Sequence, residues 1–222
     1  MNVVELVEEV LAIIDDPDYT DTEKITKRLN EAQRAVADAI MLPDLNNGIG
    51  TVDTAVDAYE VAMPADYQQN LYLAYDPDGE DLDVYKDMAS MELVRKVRMD
   101  TGDLEAVCVH GSVLIYQPVP TAITTISLRY YRLPTDMVAD DETSYPDGAR
   151  GNDDFEWALV HHAAWKIFNK IEDGLEGQKV NTAAQLEQFG QRMTALDSFA
   201  ERVGKSFPTR PASVNLGWLG AN

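Results

Sequence analysis

The chain has 222 residues, of which 45% are hydrophobic, which is enough for one large domain or two smaller domains with cores of their own. Its 39 aspartates and glutamates outnumber its 18 lysines and arginines, and the formal net charge of -21 would repel a phosphate backbone from any exposed acidic face. This balance argues against specific binding of DNA or RNA, although it would suit a channel that DNA traverses without adhering.

Cysteine usage and the first residues indicate where the chain folds. The single cysteine, Cys108, cannot form an intramolecular disulfide, and its alternating, strand-like surroundings predict a buried thiol. Acidic residues are scattered among the apolar residues at the start of the chain, so this stretch predicts neither a signal peptide nor a membrane span. We therefore expect folding in a reducing cytoplasm.

Residues 1–45 have the pattern of a helical hairpin. Apolar residues recur at helical spacing over Val3–Ile14, and Asn2 precedes them as an N-cap. After the break at DDPDYTD, Thr20 and Glu23 have the spacing of a capping box for a second helix, which a proline ends. Each helix carries one apolar stripe, which needs a surface to cover it.

Residues 51–134 change to the two-residue period of β-strands. Alternating stretches such as NLYLAYD, LEAVCVHG and SVLIYQPVP predict an antiparallel meander of roughly five or six strands. The sequence DPDGED predicts a tight turn, and KDMASMELVRKVRM predicts a short helix that interrupts the strands. This block is interpreted as an inserted β domain.

Helical periodicity returns after Thr135–Gly151, a crossing segment that is rich in aspartate, glycine and proline. Asn152 or Asp153 can cap a helix that Gly174 ends, and a second, strongly periodic helix follows over Thr182–Lys205. Residues 152–205 therefore predict a second helical hairpin.

The predicted elements combine into an α+β fold. Two hairpins with one apolar stripe each pack most simply as a four-helix bundle, with the antiparallel β domain inserted between its halves. Residues 206–222 contain two prolines and two glycines and follow no period, so they predict an extended C-terminal tail.

The titratable residues do not form a recognisable catalytic or metal-binding set. His161 and His162 are adjacent, so on a helix their side chains point about 100° apart and cannot both bind one metal ion from that turn. The stretch Asp76–Asp83 has its glycine at the fourth place, whereas an EF-hand loop needs it at the sixth, so a turn is favoured over a calcium site. His110 lacks the partners of a catalytic triad. We expect no catalytic residue, no metal, no cofactor and no enzyme activity.

Three clusters of side chains are assigned to contacts. Tyrosine and arginine are enriched where proteins meet, and LRYYR predicts contact with another protein through Arg129, Tyr130, Tyr131 and Arg132. The tail has too much proline and glycine to bury its large apolar residues in regular structure, and we expect it to dock on another chain through Phe207, Leu216, Trp218 and Leu219. A basic cluster is predicted to pair with acids of a neighbouring element: Arg95, Lys96 and Arg98.

Three stretches, in order along almost the whole chain, have the form of family motifs. The first is ELVEEVLAIIDDPDYTDTEKITKRLNEAQRAVADAI, with the run LNEAQR at Leu29–Arg34. The second is YEVAMPADYQQ, a strand that closes on a hydrophobic-Pro-x-Asp turn, with Met63 at the hydrophobic position. The third is VLIYQPVPTAITTISLRYYRLPTD, with a corner at Pro118 and Pro120 and the exit YYRLP. Together they resemble the head-to-tail adaptor, or connector, proteins of tailed bacteriophages, which include tail accessory and head-completion proteins.

The resemblance implies a structural protein of the virion neck, assembled in the host cytoplasm. Adaptors of this kind form a ring, usually dodecameric, under the portal; the ring extends the DNA channel, helps to retain the genome and presents a platform for the next tail or nozzle protein. The family places its C-terminal segment against the portal, so the resemblance implies the portal as the partner of the tail residues. The β domain would project towards neighbouring copies or tail proteins.

Other functions stay open at the level of the sequence. The chain could be another connector, such as a stopper or a tail-completion protein. It could instead be a carbohydrate- or receptor-binding module of a phage tail that uses the tyrosine-rich β block. An enzyme is disfavoured because no nucleophile, base and orienting group converge.

Overall fold

The computed structural model describes residues 1–17, 19–94, 101–172 and 179–204. In this part of the chain a mixed α+β fold is found, which confirms the predicted class. Its helices are α1 (Val3–Ile14), α2 (Thr22–Ala39), α3 (Met88–Val94), α4 (Asp153–Ile171), α5 (Val180–Gly204) and a 3-10 helix (Pro43–Asn47). Its strands are β1 (Gly48–Asp53), β2 (Glu60–Ala62), β3 (Tyr67–Tyr75), β4 (Asp83–Tyr85), β5 (Ala106–His110), β6 (Val113–Gln117) and β7 (Thr125–Arg132).

The chain forms two compact units. Of the described residues, those within Met1–Asn46 and Leu133–Ser206 form the helical unit, and those within Asn47–Arg132 form the β unit. The chain therefore begins in the helical unit, builds the β unit, and returns to the helical unit through the crossing segment that precedes α4.

Local side-chain caps set the starts of the first two helices. Asn2 and Glu5 form the reciprocal capping box of α1, in which each side chain accepts a hydrogen bond from the backbone N–H group of the other residue. The N-cap of α2 is Asp21, whose carboxylate accepts a hydrogen bond from the backbone N–H group of Lys24 at 3.0 Å. The predicted capping box at Thr20 is therefore wrong by one residue.

The central helix of the helical unit is α4. It has eleven buried residues among nineteen, on all of its sides, and α1, α2 and α5 each pack against it. A helix that is buried on all sides is expected at the centre of a group of helices. In contrast, α5 packs mainly on α4: Leu196 of its apolar stripe is fully buried, whereas Leu186 is 45% exposed. The arrangement as a four-helix bundle stays a prediction.

A side chain from the end of α4 caps the start of α5. One carboxylate oxygen of Glu172 accepts hydrogen bonds from the backbone N–H group and the hydroxyl group of Thr182, at 3.1 and 2.6 Å, and the other accepts from the N–H group of Asn181 at 3.2 Å. The hydrogen bond from the Thr182 hydroxyl group is the main cause that lowers the pKa of Glu172. The charged carboxylate also suits the positive end of the helix.

The β unit contains two sheets whose strand orders are β1-β7-β3 and β2-β6-β5-β4. The predicted meander is wrong, because the first strand pairs with the last one and the middle strands are divided between the sheets. All pairs are antiparallel except β4 with β5, which is parallel. The tight turn at Asp76–Gly79 forms as predicted, with Gly79 at a φ of 85°, but it connects β3 of one sheet to β4 of the other.

The two sheets share one apolar core. Alternate residues of both sheets meet in it, as in a β-sandwich: Val52, Ala74, Val107, Leu114, Tyr116, Ile126, Leu128 and Tyr130. The opposite face of the four-stranded sheet is covered by α3, where Met91 packs with Cys108 and Ile115. The thiol of Cys108 is buried, as predicted.

Candidate functional site

The two adjacent histidines hold α4 against α5. The Nδ1 atom of His161 lies 2.7 Å from the Oε1 atom of Gln185, and its ring stacks on Trp157 with 5.5 Å between the centroids. The ring of His162 makes edge contacts with Trp165 and Phe189, at 5.3 and 5.1 Å. Both side chains are therefore used in packing, and no group of three metal-binding side chains occurs among the described residues.

Burial keeps His162 uncharged. Its residue is only 5% exposed, and this burial, assisted by the positive charge of Lys166, lowers the pKa of His162 from 6.5 to about 4. On the neighbouring helix α2, Arg28 acts in the same direction and Glu31 opposes it. The Nδ1 atom has no hydrogen-bond partner in the part of the chain that the structure describes. At neutral pH the ring packs as an apolar aromatic group.

The LNEAQR run on α2 binds the crossing segment, and the most deeply buried of its hydrogen-bonding side chains is that of Gln33. The side chain of Gln33 is fully buried. Its amide nitrogen donates to the carbonyl oxygen of Thr135, and its amide oxygen accepts from the backbone N–H group of Asp147, both at 2.8 Å. One side chain thus satisfies backbone groups twelve residues apart, and it holds both ends of the loop between them.

Asn30 and Arg34 continue the clamp on the same face of α2. The side-chain amide of Asn30 donates to the carbonyl oxygen of Met137 at 3.0 Å and accepts from its N–H group at 2.8 Å, as a neighbouring strand would. Two N–H···O contacts, at 2.7 and 2.6 Å, join the Nη2 atom of Arg34 to both carboxylate oxygens of Asp136. Residues three and four apart share a helix face, so Asn30, Gln33 and Arg34 act together. We call these three residues the α2 clamp.

Further bonds tie the crossing segment to the rest of the helical unit. The N–H group of Val3 donates to the carbonyl oxygen of Ser144 at 2.9 Å, and the carboxylate of Asp44 accepts from the N–H group of Arg150 at 2.9 Å. Gly148 has a φ of 151°, and a Cβ atom there would lie 2.5 Å from a methyl group of Leu42. The segment therefore has one fixed path across the helices.

The second and third motifs meet in the β unit. The hydroxyl group of Tyr130, from YYRLP, donates to the carboxylate of Asp66, the last residue of the hydrophobic-Pro-x-Asp turn, at 2.5 Å. Burial, and then the hydrogen bond to Asp66, raise the pKa of Tyr130 well above its usual value. A Cβ atom on Gly50 would lie 2.6 Å from the Tyr130 hydroxyl oxygen, so this strand needs glycine to admit the ring.

The structure divides the predicted LRYYR contact into buried and accessible residues. Strand β7 is the central strand of its sheet rather than an edge strand, and Tyr130 and Tyr131 are fully buried. Their side chains fill the interior, so they are not available as a contact surface or as a platform for sugars. Arg129 and Arg132 are partly exposed, and contact with a neighbour through these two arginines remains a proposal.

Two other predicted clusters lie outside the described residues: Phe207, Leu216, Trp218 and Leu219 of the tail, and Arg95, Lys96 and Arg98.

The α2 clamp was missed by sequence reasoning, although a signal for it exists. Three polar residues stand at helical spacing directly beside the apolar stripe, where a solvated face would usually carry mixed charges.

The three motifs are thus joined by specific contacts within each unit, and the comparison with protein families agrees with them. The family model described as SU10 adaptor protein matches residues 1–212. The chain belongs to this family of phage head-to-tail adaptors. None of the curated proteins matches the chain. Among the described residues, no helix is both long and apolar enough to cross a membrane.

Membership assigns the chain a structural role as a phage adaptor. Such a protein belongs to the virion neck and interacts with portal and tail proteins in general. The family match includes the α2 clamp, Asp66 and Tyr130. It ends before Leu216, Trp218 and Leu219.

Proposed function

We propose that this adaptor forms a ring, dodecameric as the resemblance implies, between the portal and the tail, where it extends the DNA channel and helps to retain the genome. The single observation that supports this proposal is the family match over residues 1–212, which includes all three motifs and the contacts that join them. The net charge of -21 suits the proposal, because acidic side chains along a channel would let DNA pass without adhering.

Each part of the chain is given a role in this proposal. The helical hairpins of residues 1–45 and 152–205, arranged as a four-helix bundle, build the wall of the ring. The β domain, residues 51–134, projects towards neighbouring copies or a tail or nozzle protein, with Arg129 and Arg132 accessible for such contacts. The C-terminal tail of this chain, residues 206–222, binds the portal through Phe207, Leu216, Trp218 and Leu219.

Light scattering of the chain mixed with the portal ring of its own phage tests two parts of the proposal at once: the assembly of this chain into a ring, and portal binding by residues 206–222. We expect a stable complex of many copies with the full chain and none with a version that ends at Ser206. A matched control is Leu93→Ser, which removes an apolar side chain that is 80% exposed on α3 and should leave the complex intact. A full-length chain that does not bind the portal would contradict the proposed function.

Binding without assembly has a distinct meaning in the same experiment. If the full chain binds the portal as single, separated copies, the partner is right and the ring is wrong. If the version that ends at Ser206 binds as well as the full chain, the adaptor role stands and the portal contact lies outside the tail.

A further inference from the structure

The edge strand β1 lacks most of the features that usually keep strand edges from pairing with other chains; its single charged side chain is Asp53. The β unit has four edge strands, and β2 and β4 are only three residues long. Strand β3 carries register shifts and a left-handed residue, Asn70, and the N–H group of Leu82 already bonds to the carbonyl oxygen of Ala74. Short length, irregularity and covered groups all protect an edge.

Strand β1 is regular over its whole length. All six of its residues, Gly48–Asp53, pair with β7 without a shift, and the strand contains no proline, lysine or arginine. Ile49 is 66% exposed on it, and Thr51 and Asp53 are exposed as well. A long, regular edge with an exposed apolar side chain is a site where another strand can add.

The hydrogen-bond pattern shows which backbone groups face the open edge. The N–H group of Thr54 donates to the carbonyl oxygen of Thr124 at 2.9 Å, directly after the paired residues of β1 and β7. Because bonded and non-bonded pairs alternate in an antiparallel ladder, the bonds to β7 come from the even-numbered residues of β1. The N–H and carbonyl groups of Ile49, Thr51 and Asp53 therefore point away from β7. No described residue bonds to them.

We propose that β1 pairs with β1 of a second copy of this chain, antiparallel and about a two-fold axis at Thr51. In this register the outward residues of both strands match completely: Thr51 lies opposite its equivalent, and Ile49 lies opposite Asp53 of the second copy. Each outward N–H group then meets a carbonyl group, and the two three-stranded sheets become one continuous sheet.

Charge complementarity selects both the occupant and the register. Arg129 lies directly beside Ile49 in the sheet, so Asp53 of the second copy would be two strands, or about 10 Å, from it. The arginine stem can extend over Ile49 to reach that carboxylate. Among the described residues, Arg129 has no ion-pair partner of its own.

Other registers of the same two strands are less favourable. Centring the pair on Asp53 places two carboxylates opposite each other, which is destabilising. Centring it on Ile49 leaves Asp53 beyond the pairing and puts the Arg129 side chains of both copies in one row. Only the register at Thr51 places Arg129 in the same cross-strand row as Asp53 of the second copy.

This contact goes beyond the proposed function. A two-fold contact closes at two copies, whereas a ring needs a different, head-to-tail contact. The pair is therefore the state of the free chain, and it covers an exposed edge while no portal is present.

Sedimentation velocity of the chain alone, from micromolar to millimolar concentration, tests the proposal without a portal. We expect a monomer–dimer equilibrium whose dissociation constant rises at least about tenfold for Ile49→Glu, which places a carboxylate directly opposite Asp53 of the second copy and competes with it for Arg129. The matched control is Ile123→Glu, because Ile123 is 69% exposed in a loop of the same unit and lies outside the edge. Circular dichroism checks that each variant is folded.

A charge exchange tests the register. Asp53→Lys and Arg129→Glu should each weaken the dimer, and the double variant should restore most of the lost affinity, because the pair is rebuilt with reversed sign. A monomer at every concentration overturns the proposal, and so does a dimer that Ile49→Glu and Ile123→Glu affect equally. A double variant that is no tighter than the single variants overturns the register at Thr51.

Discussion

Replacing Gln33 by methionine should destabilise the helical unit. Gln33→Met keeps the shape and volume of the fully buried side chain but removes both of its hydrogen bonds, to the carbonyl oxygen of Thr135 and to the N–H group of Asp147. A lost hydrogen bond that leaves its partner unsatisfied costs ~1–3 kcal/mol. Residue 135 is exposed, so its carbonyl group can be reached by water, whereas residue 147 is half-buried. We expect the free energy of unfolding to fall by ~2–4 kcal/mol.

Urea denaturation followed by tryptophan fluorescence is a suitable assay, because Trp157 and Trp165 both lie on α4 in the helical unit. The matched control is Gln191→Met, the same change at an exposed site on α5, which should alter the free energy of unfolding by less than ~0.5 kcal/mol. Hydrogen exchange of the Asp147 amide gives a local measurement. It should accelerate in Gln33→Met and stay unchanged in the control.

Two results would refute the reasoning about the α2 clamp. If Gln33→Met is as stable as Gln191→Met, the hydrogen bonds of Gln33 do not hold the crossing segment. If stability falls but the Asp147 amide exchanges as slowly as before, the loss comes from packing around the side chain, and the bond from residue 147 is not its cause.

Further predictions concern the β unit, the buried histidine and a tight glycine. Tyr130→Phe removes the hydrogen-bond donor to Asp66 and should lower the free energy of unfolding by ~1–2 kcal/mol in urea denaturation. Asp66→Asn should lower it less, because the amide oxygen of asparagine can still accept the hydrogen bond. Equal losses in the two variants would contradict this prediction. Because the folded pKa of His162 is about 4 and the unfolded value is 6.5, the unfolded chain binds the extra proton first, so stability should fall as the pH is lowered from 6.5 to 4, by at most about 3 kcal/mol. The loss should be smaller in His162→Gln at matched pH values, and parallel pH profiles would disprove it. Both side-chain polar atoms of Gln117 are buried without partners among the described residues. Gln117→Met should therefore raise the free energy of unfolding by ~1 kcal/mol, and with it the urea midpoint. A lower midpoint would refute this prediction. Gly148→Ala should cost roughly 1–3 kcal/mol in thermal denaturation, because its Cβ atom would overlap a neighbouring side chain, and unchanged stability would show that the loop can shift.

Elements that depend on nearby residues could be read from the sequence. Periodicity and capping correctly predict three elements: the helix Val3–Ile14, the N-cap Asn152 and the short helix α3. Their signals lie within a few residues, because capping bonds and helical spacing join positions three or four apart. The error at Asp21 has the same scale, since neighbouring polar residues compete for one cap.

The contacts of the motif residues could not be read in this way. The α2 clamp joins residues more than one hundred positions apart, and Tyr130 meets Asp66 across sixty-four positions. The sequence shows that such residues are polar or aromatic, but several partners of equal chemistry are available to each. The choice depends on which backbone groups the fold leaves unpaired.

By itself the sequence determined the α+β class, the helical ends, the β-rich middle and the resemblance to phage adaptors, because periodicity and motif order survive without knowledge of packing. Only the tertiary structure decided that β1 pairs with β7, that Tyr130 and Tyr131 lie inside, and that α4 is central. Strand pairing and burial are long-range choices. A strand's alternation states that one face is apolar, but it does not state which strand lies beside it or which edge stays open.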